Sequence, residues 1–109
     1  MTQVRVLVVD DSAVARRLIS DALSRCPGIE VAGTAADGSI ALARIEELSP
    51  NAVVLDIDMP GMDGFRTLER IRAVRATLPV ILFSSLTEHG AMATVDALDH
   101  GASDYVAKP

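Results

Sequence analysis

Apolar residues run without a break through positions 6–9, 52–55 and 80–83, and each run is followed at once by Asp10, Asp56 or Ser84. Continuous runs of this kind, not alternating ones, predict strands covered on both faces, as in a parallel sheet. The first strand is predicted over 4–9, interrupted only by Arg5. Ile29-Glu30-Val31-Ala32-Gly33-Thr34 is shorter and more polar, which places it nearer a sheet edge. A last strand runs through Tyr105 and Val106. Helical spacing fills the gaps. After Ser12, a natural N-cap, Val14, Leu18 and Ala22 and the row Ala15, Ile19 and Leu23 recur every four residues and are expected inward, with Arg16, Arg17, Asp21 and Arg25 facing away. Cys26-Pro27-Gly28 stops that helix. Asp37-Gly38-Ser39 opens a second, with Ala41, Leu42, Ile45 and Leu48 inward and Ser49-Pro50-Asn51 as its stop. Phe65, Leu68 and Ile71 mark a third; Ala91, Met92, Val95 and Leu98 mark a fourth, closed by Gly101. Strands alternating with helices need parallel pairing and right-handed crossovers. The expected fold is a doubly wound α/β sheet of five strands.

Composition narrows this picture. The 109 residues suit one domain, and half are hydrophobic, so a packed core is expected. Aromatics are only 3% with no Trp, so that core must be aliphatic. A net charge of -5 argues against direct nucleic-acid binding. Cys26 is the only cysteine, which excludes an internal disulfide. No apolar run approaches the ~18 residues of a membrane span, and the N-terminus lacks a signal-peptide layout. A cytoplasmic domain without membrane contact is expected.

Charged residues at strand ends carry the chemistry. Asp10-Asp11 follows the first strand, Asp56 the third and Lys108 the fifth. Open parallel sheets bind ligands beyond the carboxyl ends of their strands. Several carboxylates and one ammonium at one edge suggest a metal and a phosphoryl group.

The ordered set Asp10-Asp11-Ser12, Asp56 with Met59-Pro60-Gly61-Met62-Asp63-Gly64, Ser84-Ser85, and Gly101 through Pro109 resembles the receiver domain of two-component response regulators over the whole chain. The resemblance implies a flavodoxin-like sheet of strand order 2-1-3-4-5. It implies a Mg²⁺ site made by Asp10, Asp11, Asp56 and the backbone carbonyl of Asp58. Asp56 would be the phosphoacceptor, with a histidine kinase as donor, Lys108 and Ser84 contacting the phosphoryl group, and Ser84 and Tyr105 switching. Ser84-Ser85-Leu86-Thr87-Glu88 and Gly28 through Ala35 further resemble the receiver of chemotaxis protein-glutamate methylesterases. That family joins the receiver to a C-terminal methylesterase domain, so this domain would only self-phosphorylate while its parent is an enzyme. The chain ends straight after the last strand, so residues 1–109 are expected to form a receiver truncated before its fifth helix. Part of Val6, Val8 or Val106 and the inner side of the first helix would then be exposed.

Other readings stay open at this point. Asp10-Asp11 fits a solvated capping turn, Lys108 a surface lysine, and Tyr105 a core ring with a wet hydroxyl. Arg16, Arg17 and Arg25 fit a solvated face or a kinase-docking face. His89 and His100 read as surface residues and Cys26 as a buried or helix-end thiol. A stand-alone or DNA-binding regulator is an alternative. So is a haloacid-dehalogenase-type phosphatase built on Asp56-Ile57-Asp58, although Pro60 and the short chain count against it.

Overall fold

The computed structural model describes residues 3–57, 64–84 and 102–107, with the backbone alone at Ser84 and residues 104–107. Five strands, β1 (Val4–Val9), β2 (Ile29–Ala35), β3 (Ala52–Asp56), β4 (Val80–Ser84) and β5 (Asp104–Ala107), pair in parallel in the order β2-β1-β3-β4-β5. Three helices are described: α1 (Ala13–Ser24), α2 (Gly38–Leu48) and α3 (Gly64–Val74). The doubly wound fold and its strand order are as expected, with the polar β2 at an edge. The expected fourth helix lies outside the described residues.

Alternation along each strand splits the core into two layers. Leu7, Val9, Val53, Leu55, Val80 and Leu82 face α2 and α3, where Ala41, Ile45, Leu68 and Ile71 are fully buried. Val6, Val8 and Val54 form a smaller layer on the opposite face, beneath Ile19 and Leu23 of α1. Val6 and Val8, two of the three strand residues among which exposure is expected, are buried at 5% and 0%. Ile19, Leu23, Ile29, Val31, Ala52 and Phe83 pack against this layer. Val106's side chain lies outside the described residues.

On α1 the expectation that both apolar rows face inward fails, since Val14, Leu18 and Ala22 are exposed. Of its two apolar rows only Ala15, Ile19 and Leu23 turn toward the sheet. Val14 and Leu18 stand 69% and 65% exposed, and no residue of α1 is buried. A helix resting on a sheet offers one stripe to it, and the Val14 row lies one position (~100°) further round.

Helix ends follow the sequence signals. Ser12 caps α1 by accepting from the Ala15 N–H at 3.2 Å, and Asp37 caps α2 by accepting from the Ile40 N–H at 2.9 Å. Ser49 ends α2 in the left-handed region at φ 45°. Arg5 explains its own intrusion into β1. Its guanidinium donates to the Leu48 carbonyl at 2.6 Å and the Ser49 carbonyl at 3.4 Å, satisfying the open end of α2. Its backbone N–H donates to Asn51 Oδ1 at 2.8 Å, and its carbonyl accepts from the Asn51 N–H. Arg72 of α3 donates to carbonyls of the chain that follows the helix, Arg75 at 3.3 Å and Leu78 at 2.5 Å. Cys26 is an exposed helix-end thiol.

Candidate metal and phosphoacceptor site

The register of the central strands assembles the site. Val9 pairs with Leu55, so the next residues, Asp10 and Asp56, stand side by side at the carboxyl edge of the sheet. Both are buried, at 0% and 2% exposure, while Asp11 is exposed. A carboxylate oxygen from each of Asp10, Asp11 and Asp56 lies within 4.8 Å of the others. Three like charges so close repel one another, and oxygen donors of this hardness suit a small divalent cation. The residues therefore fit Mg²⁺.

The loop holding Asp10 and Asp11 is tied on several sides. The Asp10 N–H donates to the Ala35 carbonyl at 3.1 Å, joining it to the end of β2. Asp10 Oδ1 accepts from the Ser12 N–H at 2.9 Å. Arg16, expected to face solvent, instead bends back and donates to the Asp10 carbonyl at 2.7 Å. Its long side chain lies half-buried against the loop, which periodicity cannot foresee.

On the far side of β3, Asp56 pairs with Phe83, and the Ile57 N–H donates to the Phe83 carbonyl at 3.1 Å. Ser84 thus ends β4 at the same edge, and its pairing with Ala107 brings β5 out there too. Asp58 and Lys108 lie outside the described residues, as do the side chains of Ser84 and Tyr105. Sequence reasoning missed two glycines. A Cβ on Gly64 would fall 2.5 Å from Ile57 Cα, and one on Gly33 would fall 2.7 Å from Leu48 Cδ1. A glycine inside a strand is a signal of close approach, so Gly33 was within reach of the sequence. Gly64 was hidden by its look of an ordinary turn residue.

Among the described residues no helix is long and apolar enough to cross a membrane. The family model of the response regulator receiver domain matches residues 6–109. A protein-glutamate methylesterase/protein-glutamine glutaminase of Nocardioides sp. is 56% identical over 109 residues, covering all of this chain and 30% of that protein. Its counterpart from Trichodesmium erythraeum is 50% identical over 109 residues, covering all of this chain and 31% of that protein. The chain thus spans about a third of the length of these relatives. The crystal structure of the response regulator domain of Thermotoga maritima CheB superposes with a TM-score of 0.88 at 43% identity, covering 98% of this chain and 79% of that one. A LuxR-family response regulator from Aurantimonas sp. gives 0.88 at 31% identity, covering 98% and 75%. This chain belongs to the response regulator receiver domain family.

Proposed function

We propose that this domain accepts one phosphoryl group on Asp56 from a cytoplasmic histidine kinase and thereby regulates a methylesterase domain C-terminal to it. The observation that carries the reading is the meeting of Asp10, Asp11 and Asp56 within 4.8 Å at the carboxyl edge of the sheet. Asp10, Asp11 and Asp56, with the Asp58 carbonyl, would hold Mg²⁺. When bound, the ion would neutralise the crowded carboxylates and the phosphoryl oxygens.

In the transfer, an Asp56 carboxylate oxygen attacks phosphorus and forms an acyl phosphate. The bond from phosphorus to the donor nitrogen breaks, and the donor imidazole leaves with the electron pair. Transfer of this kind is mostly positioning and charge stabilisation. Burial of Asp56 suits it, since fixed charges act more strongly where water is excluded. Lys108 offsets charge on the phosphoryl oxygens, Ser84 donates to one of them, and Tyr105 changes rotamer as the Ser84 loop draws inward. Relatives named as methylesterases, about three times as long as this chain, support the output. On the same reading, residues 1–109 are the receiver without its final helix.

The test uses phosphoramidate as donor and intact-mass measurement. With Mg²⁺ the chain should gain one phosphoryl group, and Asp56→Asn should gain none. Full labelling of that variant would sink the assignment, and sustained turnover of the donor would favour a hydrolase.

A further inference from the structure

The geometry points to Gly64 as a positioning residue for Asp56: its missing side chain lets the first turn of α3 rest on the backbone of Asp56 and Ile57. This contact sets where the Asp56 carboxylate stands among its neighbours. The inference rests on the reading of Asp56 as phosphoacceptor.

A Cβ at Gly64 would lie 2.5 Å from Ile57 Cα, 2.8 Å from the Ile57 carbonyl oxygen and 3.0 Å from the Asp56 carbonyl oxygen. All three obstacles are backbone atoms, so no rotamer change can clear them. The helix cannot lift away either. Thr67, Leu68 and Ile71, one and two turns further along α3, are fully buried. Strand β3 is likewise held, between β1 and β4, as far as Leu55. What can yield is the exit of β3, the backbone that carries the Asp56 carboxylate.

Gly33 supplies the matched control. A Cβ there would be as crowded, 2.7 Å from Leu48 Cδ1, but that atom is the tip of a flexible side chain. Gly33 pairs with Leu7 inside the sheet, short of the carboxyl edge. The two glycines impose similar crowding, and only one of them touches the phosphoacceptor's backbone.

The experiment compares Gly64→Ala and Gly33→Ala. Mg²⁺ affinity is measured by calorimetry, and the rate of phosphorylation by phosphoramidate at saturating Mg²⁺. Trimethylamine-N-oxide is present throughout, so that both variants are folded. Gly64→Ala should weaken Mg²⁺ binding and slow phosphorylation by about tenfold or more, since misplacement by ~1 Å can cost far more than that. Gly33→Ala should lose stability yet keep both within about twofold, because its clash is met by Leu48. Gly64→Ala with both values near wild type would overturn the inference, as would equal losses in Gly33→Ala. A second readout needs no activity. Asp56→Asn relieves carboxylate crowding and should raise the melting temperature without divalent cations. In the Gly64→Ala background that gain should at least halve, because Asp56 has left its place in the cluster. An undiminished gain would also overturn the inference. A wild-type chain that neither binds Mg²⁺ nor takes a phosphoryl group would refute the proposed function, and the temperature cycle would still decide the role of Gly64.

Discussion

Replacing Asp56 by Asn should make this domain more stable when no divalent cation is present. The carboxylate oxygens of Asp10, Asp11 and Asp56 stand within 4.8 Å of each other. At that separation, and with an effective dielectric of ~20, one pair of unit charges repels by about 3.5 kcal/mol. Two such pairs vanish in the variant, but the sum overstates the gain. Asp11 is exposed, so its share is screened by water and salt. Hydrogen bonds accepted by a charged carboxylate also weaken by ~1 kcal/mol when the acceptor becomes neutral. A net gain of about 1–3 kcal/mol remains, or a rise of roughly 4–13 °C in melting temperature for a chain of this size. The assay is thermal unfolding of both proteins in chelator and in millimolar Mg²⁺. Wild type should be the less stable in chelator and should gain more from Mg²⁺, narrowing or reversing the gap. The gain should survive added salt, because Asp10 and Asp56 are both buried. A variant no more stable than wild type in chelator would refute the reasoning, since the three carboxylates would then not oppose one another.

Three further outcomes are expected. Arg5→Ala should cost about 1.5 kcal/mol in urea unfolding, because the last carbonyls of α2 lose their charged donor, and Arg5→Lys should recover only part of it. Lys108→Ala should leave Mg²⁺ affinity largely intact in calorimetry while uncoupling phosphorylation from the change at Tyr105, read by ring NMR shifts. A chain extended by ~15 residues after Pro109 should melt higher and self-associate less in sedimentation, if a helix there buries apolar surface at ~25 cal/mol per Å²; equal melting of two monomeric proteins would show that α1 needs no such cover.

Much of this fold could be read from the chain because continuous apolar runs admit few alternatives. Once β1 and β3 are parallel neighbours, Asp10 and Asp56 must emerge together, so the acidic cluster follows from the strand ends alone. Helix α1 was harder for a definite reason. Its rows Val14-Leu18-Ala22 and Ala15-Ile19-Leu23 are equally periodic and one residue apart, so spacing could not choose between them. Packing on Val6, Val8 and Val54 made the choice. Arg16 shows a different limit: periodicity places its Cα but not the reach of its side chain. Arg5 was visible only as a polar intrusion into β1, since its partners lie 43 and 44 residues away. The crowding at Gly64 depends on how closely α3 lies on the end of β3, which no local pattern encodes.

The shallow seat of α1 bears on how the domain breathes. A helix with no buried residue should open locally at a free energy well below that of the global transition, and its amides should exchange with solvent earlier than those of β3 or α3. Its first turn also grips the Asp10 carbonyl through Arg16 and is joined to Asp11 through its cap, Ser12. Fraying of α1 and loosening of the two acidic residues are therefore one event. Whatever tightens those carboxylates, a cation among them, should slow proton exchange along a helix that never touches it.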